Sequence, residues 1–197
     1  MRARTHTNPF NFYHALKPLN FNSIFPTFSG EIDLEIGFGK GVFLRHWAQK
    51  YQDRFIVGVD VRKTMVDLLE SKTKSFENTY LVCDNAQRII SDCLGDQMIN
   101  RLFLFHPDPW FKKRHHKRRV IQDDFLFVLK QKMALKGIIY VATDVQLLFD
   151  EMKTRFVGAG FEYVEEKSFW DQDYVTHWDS FSTQDKRVTY KAAFQLI

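Results

Sequence analysis

The sequence predicts an α/β fold, a mostly parallel sheet with helices on both faces. Short apolar runs alternate along the chain with stretches whose apolar residues recur at helical spacing. That alternation marks parallel strands joined by crossover helices. Five successive strand ends also carry an acid: Glu35, Asp60, Asp84, Asp108 and Asp144. The first of them breaks at once into a glycine turn, Gly37-Phe38-Gly39-Lys40-Gly41. Ligands of such sheets sit beyond the carboxyl ends of the strands, so the five acids outline one polar rim. For any single acid, helix N-capping is the ordinary alternative.

The elements follow in order. Asp33 to Ile36 is a strand, and Phe43, Leu44, Trp47 and Ala48 mark the helix after the glycine turn. Phe55 to Asp60 is a second strand; Met65, Leu68, Leu69 and Phe76 give the next helix. Tyr80 to Cys83 is a third strand, ending at Asp84-Asn85-Ala86, and a short helix runs through Ile89 and Ile90. Met98-Ile99 and Leu102 to Phe105 form the fourth strand. Phe125, Val128, Leu129 and Met133 share a helical face, Gly137 punctuates, and Ile138 to Ala142 is the fifth strand. Leu148, Met152 and Phe156 mark a helix stopped near Gly158 and Gly160, and Phe161 to Val164 and Tyr190 to Leu196 are the last strands. Residues 168–186 are polar and aromatic without a clear period and read as a loop.

Length and composition set limits. With 197 residues, 45% hydrophobic and 26% charged, the chain is an ordinary globular sequence able to bury a real core. Residues 1–30 contain no Asp or Glu, include Arg2, Arg4 and Lys17, and are interrupted by Pro9 and Pro18. They read as an extended basic arm preceding one domain, residues 31–197. No apolar run approaches a membrane span. Two cysteines, Cys83 and Cys93, make neither a disulfide framework nor a metal-ligand set, and fit the cytoplasm. No metal is expected, and oligomeric state is left open between monomer and homodimer.

The net charge is +4, but residues 112–119 alone hold six Lys or Arg and no acid, leaving the remainder net negative. The basicity is local, as in a docking patch for a polyanion. A solvated basic loop is the bland reading. The patch directly follows His106-Pro107-Asp108-Pro109-Trp110-Phe111, so a carboxylate and an aromatic ring stand beside it. The glycine turn lacks the dinucleotide pattern, because Val42 stands where a third glycine belongs, and the P-loop pattern, because Lys40 is followed by Gly41-Val42 and not by Ser or Thr. Flanked by Glu35 and Asp60, it suits a ligand with hydroxyls and a positive charge better than a pyrophosphate. Asp60 can accept two ribose hydroxyls, and Glu35 can balance an ammonium or sulfonium. S-adenosylmethionine has all these features.

With Leu34-Glu35-Ile36-Gly37-Phe38-Gly39-Lys40-Gly41, Asn85-Ala86 and the run from Pro107 to Arg119 in register, the chain resembles the tRNA (guanine-N7)-methyltransferase family over nearly its whole length. The resemblance implies a class I S-adenosylmethionine-dependent methyltransferase fold, Rossmann-like, with tRNA as partner and the guanine at position 46 of the variable loop as target. It implies cofactor contacts from Glu35, Gly37, Asp60, Asn85 and Asp108, with Arg62 close by. It also implies Asp108 as the catalytic acid and substrate contacts from Lys112, Asp144 and Thr183. The C-terminal Thr-x-x-Glu of the family is altered: Thr183 is kept, Lys186 stands at the Glu position, and Asp185 precedes it.

Guanine N7 carries a free lone pair, so Asp108 is expected to orient the base and offset the charge arriving on it, not to remove a proton. Trp110 either stacks on the base or packs under its loop, and the flanking prolines favour packing. Lys112 and Arg114 are phosphate candidates; Lys117, Arg118 and Arg119 are expected to give nonspecific attraction. Asp144 either reads the substrate or caps the following helix. His177 and Trp178 are expected at the surface. Two rival readings are an exocyclic-amine methyltransferase and a non-catalytic RNA-binding protein; the basic block argues against the first, and the Glu35, Asp60 and Asp108 set against the second.

Overall fold

The computed structural model describes residues 7–25, 27–178 and 187–196. Seven strands form one sheet: β1 (Ile32–Ile36), β2 (Ile56–Val59), β3 (Thr79–Val82), β4 (Ile99–Phe105), β5 (Met133–Thr143), β6 (Phe161–Val164) and β7 (Tyr190–Leu196). Their spatial order is β3-β2-β1-β4-β5-β7-β6. β1 to β5 are parallel, and β7 lies antiparallel between β5 and β6. The order reverses between β1 and β4, which opens a crevice beyond their carboxyl ends.

Period-two alternation along each strand sends side chains to two cores. On β4, Leu102 and Leu104 join one cluster, while Phe103 and Phe105 join the other. The first cluster receives α4 (Ala86–Cys93), α5 (Asp123–Lys132) and α6 (Gln146–Gly158) through Ile89, Ile90, Phe125, Leu129, Met152 and Phe156. The second receives α2 (Val42–Lys50), α3 (Lys63–Thr73) and α7 (Lys167–Gln172). A single helical turn, α1 (Phe21–Ile24), brings Phe21 and the neighbouring Phe25 into the first cluster, with the Phe25 and Phe55 rings 4.5 Å apart.

The strand–helix alternation read from the sequence is present, with two corrections. Residues 168–186 were expected to be a loop, but α7 occupies the start of that stretch. Its Phe169 is buried and stacks on Tyr140 with centroids 3.8 Å apart. Six residues are too few to show a period, so the signal rested on one buried ring. Met133, expected on a helical face, instead opens β5, which continues through Gly137. A Cβ at Gly137 would lie 2.9 Å from the Ile99 carbonyl, so glycine there permits close strand approach rather than ending an element.

β1 places Ile32, Leu34 and Ile36 on one face and two acids, Asp33 and Glu35, on the other. Asp33 is completely paired. It accepts from Trp47 Nε1 at 2.8 Å and from Arg54 Nε and Nη2 at 2.7 and 2.6 Å. That clamp ties β1 to α2 and to the loop before β2. Asp33→Ala strands the half-buried Arg54, and the expected loss is about 2–4 kcal/mol, discounted because Arg54 keeps some water. Urea unfolding of the variant checks it; an unchanged midpoint refutes the role.

Candidate active site

A cavity of about 440 Å³ opens beyond the carboxyl ends of β1, β2 and β4, a size in the range of small-ligand sites. Glu35, the glycine turn, Asp60, Asn85 and Ala86 line one side; His106, Asp108, Trp110 and residues 117–119 line the other. Thr7, Pro9 and Phe10 of the N-terminal arm contribute to its wall.

The turn after β1 has left-handed backbone at Gly37, Gly39 and Gly41, with φ of 74°, 56° and 65°, which L side chains adopt reluctantly. At Gly41 space is also limiting: a Cβ would sit 2.4 Å from Leu69 Cδ1. Gly37 has nothing within 4 Å of that position, so its backbone faces open space. The Gly39 N–H donates to Asp60 Oδ2 at 3.0 Å and ties the turn to the end of β2.

Glu35 is only 4% exposed, and its Oε2 has no hydrogen-bond partner among the described residues. Burial pushes its carboxyl from 4.5 up to about 8, the negative charge of Asp60 adds to the rise, and a hydrogen bond from the Leu44 backbone opposes it. Asp60 is saturated. Arg62 donates to it from its backbone N–H and Nε at 2.9 Å each and from Nη2 at 2.7 Å. The Asp60 hydrogen bond raises the Arg62 pKa, and the nearby Asp108 charge adds to it. Arg62 therefore holds the Asp60 carboxylate at the end of β2.

Asn85 caps a helix and lines the cavity. Its Oδ1 caps α4 by accepting from Gln87 N at 2.8 Å, and its Nδ2 donates to the Pro9 carbonyl at 2.9 Å at the cavity wall. The neighbouring rim acid Asp84 is taken up locally, with His14 Nε2 3.0 Å from one of its oxygens.

Asp108 sits half-buried in a turn bounded by two non-glycine residues with positive φ, His106 at 48° and Trp110 at 43°. Trp110 is buried at 8% exposure, under the 3-10 helix Lys113–Arg118, with the Arg118 guanidinium 5.0 Å from its ring. Lys112, Lys113, Arg114 and Lys117 are exposed. Arg119 differs from the expectation of nonspecific attraction. It donates to the Pro109 carbonyl at 2.8 Å and pairs with Glu151, so it braces the turn that carries Asp108.

The remaining candidates separate. Lys112 lies outside the cavity lining. Asp144 does not cap α6: Thr143 Oγ1 accepts from Val145 N, while Asp144 accepts from Arg187 Nη1 at 2.6 Å and lies 3.5 Å from His106 Nδ1. Thr183, with Asp185 and Lys186, falls outside the described residues. Sequence reasoning missed Thr176, His177 and Trp178 as cavity-wall residues. It had put His177 and Trp178 at the surface because no period or motif singles them out. They reach the wall because Lys50 Nζ and Tyr51 hydroxyl donate to the buried Asp173 just ahead of them. Among the described residues no three His, Cys, Asp or Glu side chains gather as a metal set.

A family model described as "Putative methyltransferase" matches residues 29–193. The chain is 37% identical over 138 residues to a tRNA (guanine-N(7)-)-methyltransferase of Actinobacillus succinogenes, covering 69% of this chain and 54% of that protein. It is 32% identical over 160 residues to the protein of that name from Pseudoalteromonas atlantica, covering 80% and 65%. Against the one from Prochlorococcus marinus it is 32% identical, with 95% and 92% covered. The chain thus spans less than two thirds of the first two relatives and nearly all of the third. Among solved structures, the 16S rRNA methyltransferase KamB superposes with TM-score 0.65 at 14% identity, covering 89% of this chain and 92% of that one. A SAM-dependent methyltransferase from Aquifex aeolicus gives 0.59 at 13%, covering 85% and 83%. These structures establish the fold as the class I, Rossmann-like methyltransferase fold. By the extent of the model match and the identity shared across the Prochlorococcus protein, the chain belongs to the tRNA (guanine-N(7)-)-methyltransferase family.

Proposed function

We propose that this chain transfers a methyl group from S-adenosylmethionine to N7 of guanine in tRNA, at position 46 of the variable loop. The observation that carries the reading is Glu35: a buried carboxylate oxygen without a partner among the described residues, at the wall of a cavity that also bears Asp108 and a block of cations. A buried ionisable group left unmatched is costly, and a cationic ligand resolves it.

The residues present fit the cofactor. Glu35 balances its positive charge, the open backbone at Gly37 admits its amino-acid end, Asp60 accepts the ribose hydroxyls by sharing oxygens now held by Arg62, and Asn85 forms the adenine-side wall. When bound, S-adenosylmethionine supplies a methyl carbon activated by a sulfonium. Guanine N7 would accept the methyl through its own lone pair, with the sulfur leaving neutral and the imidazole ring left positive. No proton need leave N7 first. Asp108 therefore acts by position and charge: it accepts from a guanine N–H and faces the ring as positive charge arrives. Lys112, Lys113, Arg114 and Lys117 hold the phosphate backbone. Asp144 and Thr183 are assigned to the substrate side with Lys112. The cytoplasm is the compartment that fits a tRNA substrate, and no helix among the described residues is long and apolar enough to cross a membrane.

The direct test incubates the protein with labelled S-adenosylmethionine and unmodified tRNA, then maps the product by mass spectrometry and N7-specific cleavage. A 7-methylguanine at position 46 is expected; a methyl on an exocyclic amine points to the rival chemistry. Asp108→Asn should slow single-turnover methylation about 100-fold while changing cofactor affinity little, and an intact rate sinks its role. Lys112→Ala with Arg114→Ala should flatten the plot of log affinity for tRNA against log salt by roughly two contacts' worth. A slope equal to wild type argues that neither touches phosphate.

Glu35 gives a pH signature. Its folded pKa of about 8 lies above its unfolded 4.5, so the empty folded state binds the extra proton and its stability falls as pH rises across that window. A cation at Glu35 drives the proton off. At pH 6.5 calorimetry in buffers of different ionisation enthalpy should show about one proton released per S-adenosylmethionine bound, and Glu35→Gln should abolish the release. Binding without proton release in wild type removes Glu35 from the cofactor site.

A further inference from the structure

His106 lies in the cavity wall at the end of β4, and its side chain is completely buried. It follows Phe105 in a strand that otherwise ends in apolar residues, so a polar ring there needs partners. It has them on both nitrogens. Nε2 lies 2.8 Å from the Tyr174 hydroxyl, and Nδ1 lies 3.5 Å from Asp144 Oδ1. Its backbone N–H donates to the Ala142 carbonyl at 2.7 Å, locking it to β5 two residues before Asp144. The Trp178 ring lies 6.2 Å away at a tilt of 31°. The residue takes φ of 48°, a left-handed conformation that histidine tolerates better than most residues. The chain then enters Pro107-Asp108-Pro109.

Three segments therefore meet at one imidazole, two of which line the cavity, through Asp108 and through Thr176 to Trp178, while Asp144 stands just outside the lining. The turn carrying Asp108 begins at it, the Asp144 carboxylate after β5 lies against one nitrogen, and the segment containing Tyr174 and Trp178 lies against the other. Asp144 is held on its other oxygen by Arg187, so the imidazole helps set which way that carboxylate presents itself.

We infer that His106 is a positioning residue for methyl transfer: its imidazole aligns Asp144 and the Asp108 turn on the substrate side of the cavity. The inference rests on the proposed tRNA methylation. It makes His106 important for the rate with bound substrates and unimportant for cofactor binding, because its contacts among the described residues are with Tyr174, Asp144, Ala142 and Trp178, away from Glu35, Gly37 and Asp60.

The test compares His106→Phe, His106→Asn and His106→Gln under single turnover with saturating tRNA, alongside S-adenosylmethionine affinity and thermal midpoint. Phe keeps a ring and loses both polar contacts. Asn keeps an amide near the Nδ1 position facing Asp144, whereas Gln reaches toward Tyr174. His106→Phe should be about 10- to 100-fold slower, with cofactor affinity within about twofold of wild type. His106→Asn should recover most of that rate and His106→Gln less. Combined with Asp144→Asn, His106→Phe should add little further loss, since the two act as one unit. A rate for His106→Phe near wild type overturns the inference. So does a loss that multiplies in full with that of Asp144→Asn, or one that follows cofactor affinity and thermal midpoint with no rescue by Asn. Wild type that methylates no tRNA sinks both this inference and the proposed function, which separates it from an active wild type matched by an equally active His106→Phe.

Discussion

Two carboxylates lie buried two residues apart on one five-residue strand, and their difference organises the site. Asp33 and Glu35 share a face of β1, yet Asp33 receives three hydrogen bonds from Trp47 and Arg54 while Glu35 keeps an oxygen with no partner among the described residues. The first is a structural clamp near the amino end of the strand. The second stands one residue before the carboxyl end, where the glycine turn leaves the sheet. A pKa near 8 in place of 4.5 means that ionising Glu35 in the empty site costs roughly 4–5 kcal/mol more than in water. A fold that needed only stability would place an apolar side chain there. The penalty is tolerable if the site is normally filled by something positive.

The turn that carries Asp108 is held from outside. Prolines on each side of Asp108 restrict its backbone, positive φ at His106 and Trp110 bends the chain at both ends, and Arg119 returns from ten residues later to bind the Pro109 carbonyl. Glu151 of α6 pairs with that same arginine. The last cation of the basic block thus belongs to the framework, while the exposed ones before it stay available to a polyanion. Strain of this kind persists where the surroundings overdetermine it, most often at functional sites.

The sheet was legible because alternation and strand-end acids are local signals. The glycine turn and the motif from Pro107 to Arg119 announced themselves by composition, and the acids at positions 35, 60 and 108 do line one cavity. What stayed hidden depends on long-range contact. Nothing near Arg119 in sequence distinguishes it from Lys117; Glu151 does, from 32 residues away. His177 and Trp178 look like surface residues until Lys50 and Tyr51, more than 120 residues earlier, anchor Asp173. Asp144 could be read as a helix cap because capping is a local rule, but α6 begins with no side-chain cap, and the carboxylate faces His106 and Arg187 instead. Periodicity sees which face a residue occupies, not which distant side chain meets it there.

Adjacent strands supply the two acids that the proposed reaction needs, and their positions match the movement of charge. β1 and β4 pair in register, Ile36 opposite Leu104, so the chain leaves the sheet at two neighbouring points roughly one strand spacing, about 5 Å, apart. In the proposed reaction the positive charge would start on the sulfonium, assigned to the Glu35 side, and end on the guanine ring, assigned to the Asp108 side. An acid on the starting side alone would stabilise the reactant more than the transition state and slow the step, since only interactions that strengthen toward the transition state speed it. Glu35 is buried and reluctant to ionise, whereas Asp108 is half-buried and, in the proposed reaction, would stand where charge arrives. Placing the second acid on the next strand, in a turn too constrained to retreat, gives the charge a fixed partner at its destination without solvent having to reorganise.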